Sequence, residues 1–398
     1  MERSTPSMRG LGDTSSVIGA LERGIEGDSL SREQALLLVE HAELGSLLEA
    51  ARSVRDRSKG RTVSYSRKIF IPLTKLCRDY CGYCTFRTDP VPDRRPFMTP
   101  QEVLAVAEAG RRAGCKEALF SLGDQPETVF PEARTFLRKQ GFHRTLEYLA
   151  AMTQLVLDQT GLLPHSNPGL MPPVDLRRLK ETNISLGLML ETSSARLSRS
   201  GGPHWRAPDK VPRLRLQAIE EAGKLSIAFT TGILIGIGET AAERIDSLLA
   251  IRELHEKFGH IQEVIVQPFR AKPGTRMALA AQPCSEELLR TLAVARLIFG
   301  SDMNIQSPPN LLSGDYPRLL EAGINDWGGI SPVTKDFINP EAAWPEISSL
   351  TEKTAAAGCL LRERLAIYPE FSSRPGFVGV HLQSPLRKLQ GEDGYARN

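Results

Sequence analysis

Long apolar runs are missing from this chain of 398 residues; no stretch approaches the roughly 20 residues that a membrane-spanning helix needs. The first 30 residues also lack the apolar core of a secretory signal. They carry Glu2, Asp13, Glu22, Glu26 and Asp28 among Gly and Ser, so a cytoplasmic protein with no membrane partner is expected. Charge of one sign is missing too. Lys and Arg number 50 against 47 Asp and Glu, and a net +3 argues against nucleic acid or an anionic membrane surface. Cysteine is scarce, six in all, too sparse for a disulfide scaffold. What is left is 41% hydrophobic and 24% charged, a globular composition that excludes wholesale disorder and fibrous classes.

Helical patterning opens the chain. Ser31 precedes apolar residues at Leu36, Leu37, Leu38, Leu47, Leu48 and Ala51, and Gly60 follows, which predicts one or two helices over 31–58. Residues 1–30 are expected to be mobile at their start. Beyond residue 65, short apolar runs alternate with helical segments. Strands are expected at 69–73, 117–122, 162–165, 184–190, 226–235 and 263–267, with short closing strands at 303–306 and 326–328. Helices are expected at 99–113, 133–159, 173–181, 209–223, 240–257 and 285–299. Repeated strand–helix units imply a parallel sheet with right-handed crossovers. Six or more of them imply an α/β fold, a full or partial (β/α) TIM-type barrel whose chemistry sits where strands end. The expected division is a helical lead-in over 1–60, a barrel over 61–330 and a wrapping extension over 331–398, which contains Pro369, Pro375 and Pro385.

Cys77, Cys81 and Cys84 form a C-x3-C-x2-C cluster directly after the first strand. Three soft thiolates on one loop suit an iron–sulfur cluster or zinc. Zinc wants a fourth ligand nearby, yet no His lies between His41 and His143, and the next cysteine is Cys115. A four-iron cluster held by three cysteines leaves one iron open for chemistry. Cys115, Cys284 and Cys359 are scattered and are expected to be packing residues.

This spacing, with Tyr83 just before the third cysteine, resembles the radical S-adenosylmethionine (SAM) superfamily. The resemblance implies a [4Fe-4S] cluster on Cys77, Cys81 and Cys84, with SAM on the open iron and Tyr83 beside it. It also implies SAM contacts elsewhere: Gly123 and Asp124 after the second strand, where Gly-Gly-Glu is common, and Glu191 after the fourth. Gly232, Leu234, Gly236 and Glu239 match a segment that borders the adenine; no Gly-Lys-Ser/Thr follows, so a P-loop is excluded. The segments 70–79, 118–127, 163–169, 201–204 and 326–334, with 339–341 and 344–345, are similar to the CofG type of deazaflavin (FO) synthase subunits. That similarity implies an enzyme of coenzyme F420 biosynthesis. Its substrate would join a tyrosine-derived hydroxybenzyl group to a ribityl-diaminouracil, and it would close the third ring with loss of ammonia, as a lyase. A separate CofH-like sister subunit is expected to supply that adduct, and a reducing electron donor the electron. His165, Asn167, Gln267 and Asp326 are the expected substrate contacts or proton carriers. The alternatives are another radical SAM cyclase, such as a menaquinone-pathway enzyme, or a zinc-stabilised binding protein. A metal-free barrel aldolase would leave the three cysteines unexplained.

Overall fold

The computed structural model describes residues 14–312 and 314–397. Three helices come first, α1 (Thr14–Glu26), α2 (Arg32–His41) and α3 (Leu44–Lys59). The sequence reading assigned no helix to residues 14–26; Val17, Ala20 and Gly24 form its buried stripe at helical spacing. The start expected to be mobile, residues 1–13, lies outside the described residues. Ser31 opens α2 with a capping box: Gln34 N–H donates to its hydroxyl at 3.2 Å, and the Gln34 side chain accepts from Ser31 N–H at 2.9 Å. Gly60 ends α3.

The strands β1 (Thr62–Thr74), β2 (Glu117–Leu122), β3 (Leu163–Asn167), β4 (Ser185–Gly187), β5 (Phe229–Ile235), β6 (Ile261–Pro268), β7 (Ile305–Gln306) and β8 (Asp326–Ile330) pair in parallel in that order. Because β1 also pairs with β8, the sheet closes into an eight-stranded barrel. The outer layer is α4 (Pro100–Arg112), α5 (Pro131–Lys139), α6 (Thr145–Thr160), α7 (Pro173–Lys180), α8 (Pro212–Lys224), α9 (Ala241–Phe258) and α10 (Ser285–Phe299). Period two sorts the long first strand. Ile69, Ile71 and Leu73 pack outward, and Ile69 meets α4 where Gly110 has no Cβ to obstruct it; Lys68 and Phe70 face the barrel interior. The lead-in helices cover the outside, α2 on α9 and α3 on α10.

Four details depart from the sequence reading. The stretch 133–159 is two helices, because Gly141 turns the chain at φ +85° between them. β4 has three residues rather than seven; beyond it the chain returns to β5 at an isolated bridge, Glu191 opposite Ile233, where Glu191 adopts φ +66°. Cys284 is exposed at the start of α10, whereas Cys115 and Cys359 are buried as expected. The tail does more than wrap. After α11 (Ile347–Ala356), β9 (Leu360–Arg364) joins the sheet beside the first half of β1, where Ser66 pairs with Arg364. α12 (Pro369–Ser372) and α13 (Val380–Leu389) follow, and Leu365, Ile367, Tyr368, Phe371 and Leu382 form a second apolar cluster with Leu163 and Ile184.

β9 carries Arg364 into the barrel. Its guanidinium donates to Asp326 Oδ2 at 2.6 Å, Asp326 Oδ1 at 3.0 Å and Glu263 Oε1 at 2.9 Å. Removing one partner of a fully buried pair leaves an uncompensated charge, worth about 3–5 kcal/mol. Arg364→Ala should therefore lower the unfolding free energy by about that amount in chemical denaturation. A loss below about 1 kcal/mol would show that the two acids find another counter-charge.

Candidate active site

The cysteine loop leaves the C-terminal end of β1 and is held from three directions. Gly82 N–H donates to Pro203 O at 2.7 Å, Tyr80 N–H to Arg206 O at 2.7 Å, and Met277 N–H to Gly82 O at 3.0 Å. Thr74 braces its root, accepting from Leu76 N–H at 3.1 Å and donating to Pro96 O at 2.6 Å. Gly123 packs directly under it. A Cβ there would run into the Leu76 carbonyl oxygen and lie 2.6 Å from Cys77 Cβ.

Cys77, Cys81 and Cys84 are all free thiols. Burial, then Asp79, pushes the Cys77 thiol up to about 12, and burial raises Cys81 as well. Thiolates here therefore need a metal cation, and the backbone N–H of Asp124 already donates to Cys77 Sγ at 3.2 Å. Three cysteine sulfurs on one loop, one of them already accepting a backbone N–H, are the soft donor set that an iron–sulfur core takes.

Beyond the loop the strand ends enclose a cavity of about 330 Å³. Of the residues expected from sequence, Tyr83, Cys84, His165, Asn167, Glu191, Leu234 and Gln267 line it. Tyr83 OH lies 3.0 Å from His204 Nε2. Glu191 is ion-paired with Lys210; burial alone would raise its carboxyl, but Lys210 and Arg215 outweigh that and hold it below the usual range. Gly123 and Asp124 lie beneath the loop rather than on the cavity wall. Asp124 Oδ2 accepts from Leu170 N–H at 3.0 Å, while Oδ1 has no hydrogen-bond partner. Burial, then Asp209 and Asp79, pushes this carboxyl well above its ordinary range.

The other expected residues serve the scaffold around the cavity. Gly232 lets β5 approach β6, since a Cβ would strike the Ile265 carbonyl. Gly236 turns at φ +86° and donates its N–H to Glu239 Oε1 at 2.8 Å. Glu239 also accepts from Ile237 N–H at 2.9 Å and pairs with Arg244 at 2.7 Å, which fixes the turn into α9. Asp326 is fully buried below the cavity floor in its grip on Arg364.

The sequence reading missed the floor itself. Lys68 Nζ lies 2.8 Å from Glu117 Oε1, and both side chains line the cavity beside Glu263 and Arg364. Burial would raise the Glu117 carboxyl, but Lys68, then His165 and Arg364, more than offset it. Tyr368 OH donates to Glu263 Oε1 at 2.9 Å. The available signal was a charged residue inside strands with both faces covered, where a parallel barrel normally has aliphatic residues.

His165 sits above this floor. Ser185 Oγ donates to Ala366 O at 2.5 Å and lies 2.6 Å from His165 Nδ1, while His165 Nε2 lies 3.1 Å from Asn167 Oδ1. Burial lowers the His165 pKa to about 4.

Two expectations follow from this geometry. Gly123→Ala should keep the barrel folded, as read by circular dichroism, but lose most of the iron retained after anaerobic reconstitution; full iron content would show that the loop can move away. His165 protonates near 6.5 when unfolded and near 4 when folded, so its contribution is complete above pH 6.5 and is lost as pH falls toward 4. Stability should fall over that window by up to about 3 kcal/mol from this group. His165→Gln should flatten the pH slope of urea unfolding by about one proton, and an unchanged slope would mean that His165 does not titrate in that way.

Residues 71–251 match the model of the radical SAM superfamily. The 7,8-didemethyl-8-hydroxy-5-deazariboflavin synthase of Methanopyrus kandleri is 48% identical over 335 residues, covering 84% of this chain and 100% of that protein. The FO synthase of Nocardia farcinica is 48% identical over 391 residues, 94% of this chain but 45% of that protein, so the chain spans about half the length of such relatives. The solved structure of HydG, a maturase of the [FeFe]-hydrogenase, shares the fold with a TM-score of 0.73 at 16% identity over 94% of this chain and 80% of that one. Methylornithine synthase (PylB) gives 0.65 at 22% identity over 86% and 97%. The superfamily uses a [4Fe-4S] cluster and SAM, and Cys77, Cys81 and Cys84 carry its C-x3-C-x2-C spacing. With the barrel, the clamped cysteine loop and a relative matched from end to end, the chain belongs to the radical SAM superfamily, in the family of the 7,8-didemethyl-8-hydroxy-5-deazariboflavin synthases.

Proposed function

We propose that this chain is a cytoplasmic lyase that performs the ring-closing half of deazaflavin formation. Its substrate is the adduct of a tyrosine-derived hydroxybenzyl group and a ribityl-diaminouracil, its product is FO, and ammonia leaves. The observation that carries this reading is the match to a deazariboflavin synthase over that protein's whole length. The residues matched are 45% of the Nocardia farcinica FO synthase, and we assign only the ring-closing half to them; a CofH-like sister subunit makes the adduct.

When bound, the cluster and SAM supply a carbon-centred radical that removes a hydrogen atom from the substrate. The chain's own residues hold and orient. Cys77, Cys81 and Cys84 would hold the cluster. Glu191, kept ionised by Lys210, accepts hydrogen bonds from the hydroxyl or ammonium groups of SAM, and Leu234 with Tyr83 forms an apolar wall beside them. Substrate occupies the space between this end and the floor. Phe70 and Trp344, stacked at 5.3 Å on the cavity wall, flank its rings. The ribityl hydroxyls reach the floor, where Lys68 donates and Glu117 and Glu263 accept. His165, neutral at pH 7, faces the substrate with Asn167 and Gln267 beside it. Asp326 acts at one remove, as a positioning residue for Arg364.

The test is an anaerobic assay of the reconstituted holoenzyme with reductant and SAM, with and without the adduct, reading deoxyadenosine and deazaflavin fluorescence together. Both should rise with the adduct. Glu117→Gln should lower kcat/KM for the adduct at least tenfold, about 1.4 kcal/mol of lost stabilisation, with iron content intact. Deoxyadenosine formation indifferent to the adduct, alongside a working synthase, would reject this substrate.

A further inference from the structure

One cation in the cavity wall has no acid partner. Lys272 stands four residues past the C-terminal end of β6, at the end of the barrel from which the cysteine loop also leaves. It lines the cavity and is only 6% exposed. Its ammonium donates to Ile338 O and forms no ion pair among the described residues. The acidic groups whose charge reaches it are Asp336, Glu341 and the Cys84 thiol. Asp336 is fully engaged elsewhere. Its Oδ1 accepts from Ile338 N–H at 2.8 Å and Asn339 N–H at 3.0 Å, and its Oδ2 accepts from the side-chain amides of Asn310 and Asn339, each at 3.1 Å. Glu341 is exposed to solvent, and the Cys84 sulfur belongs to the metal loop.

An ammonium carries three N–H donors, so two remain after Ile338 O is served. Taking such a group out of water is offset only by close acceptors, and charged ones do it best. Folding gives Lys272 a single neutral carbonyl. That carbonyl does not depend on a lysine, because Thr85 Oγ donates to Ile338 O as well, at 3.4 Å. The local turn does not depend on one either. Thr275 closes it through main chain, its N–H and Oγ donating to Lys272 O at 3.3 and 2.8 Å. Two buried donors therefore face the cavity with nothing in the fold to accept from them.

The polar floor lies at the opposite end of the cavity and suits the ribityl hydroxyls. The aromatic head then stands at the Lys272 end, beyond the stacked pair Phe70 and Trp344. The polar atom of that head is its phenol oxygen. We propose that Lys272 determines specificity for the head, its ammonium donating to the phenol oxygen of the hydroxybenzyl group. The proposal rests on the adduct being the substrate. An adduct with a plain benzyl group would leave the two donors buried and unanswered, the kind of mismatch that discriminates strongly between otherwise similar ligands.

The experiment measures binding by anaerobic calorimetry on the reconstituted holoenzyme with SAM and without reductant, so that no turnover occurs. The ligands are the adduct and its counterpart carrying an unsubstituted benzyl group. Wild type should bind the adduct at least about tenfold more tightly than the counterpart. Lys272→Met should bring that ratio close to one. Lys272→Gln, which keeps a donor for Ile338 O, should lower the ratio too, and Lys272→Arg should retain most of it. A ratio unchanged in the Met and Gln variants overturns the proposal. So does equal weakening of both ligands, which marks a lysine that only supports the wall, and so does a loss of SAM affinity in place of adduct affinity. Wild type binding both ligands alike sinks this proposal alone. Wild type binding neither sinks the substrate reading, and the proposal falls with it.

Discussion

The guanidinium of Arg364, lying between Asp326 and Glu263, makes a charged barrel interior tolerable. Buried carboxylates need close partners, because the interior repays little of the hydration they lose. Arg364 supplies one to two acids at once and is itself oriented by β9, whose pairing with β1 puts residue 364 opposite Ser66. Tyr368 completes the arrangement from the same segment, and the apolar cluster beneath it anchors that segment to β3 and α13. A polar floor can then lie under an active cavity without free charge, and Lys68 and Glu117 add a second pair to it.

The other end of the barrel obeys a different constraint. There the cysteine loop must come close to the end of β2, and backbone provides most of the grip: amides to Pro203 O, Arg206 O and Gly82 O, with Gly123 bare beneath. Soft ligands at the mouth and hard ionic pairs at the floor leave a middle zone of Leu119, Met189, Phe70 and Trp344. A substrate with an aromatic head and a hydroxylated tail matches that gradient end to end.

Much of this was legible in the sequence because it depends on local spacing. The three cysteines, Ser31 ahead of the first predicted helices and the alternation of strands and helices are short-range signals, and each stands close to where its pattern placed it. The floor was illegible for the opposite reason. Lys68, Glu117, Glu263 and Arg364 come from four separate strands, and nothing in the neighbourhood of any one of them marks its partner. Residues 360–364 carry Arg362, Glu363 and Arg364 in succession, which conceals a strand from any reading by apolar periodicity. Gly236 and Glu239 were found as a motif, but their geometry serves the turn into α9. The glycine-rich pattern records how tightly the strand must turn there, and does not itself say what the turn faces.

The position of Arg364 near the far end of the chain also sets an order of events during synthesis. Strands β1 to β8 emerge from the ribosome in sequence, and the hydrophobic outer layer can form as they appear. Asp326 and Glu263 then wait inside a nascent barrel until β9 is made, and over that interval the interior holds acid without its base. The last ladder to form, β9 on β1, joins residues roughly 300 positions apart, a closure of very high contact order. The barrel is thus a structure that its first eight strands outline and its ninth locks, and a chain halted before β9 would be a ready client for chaperones and proteases.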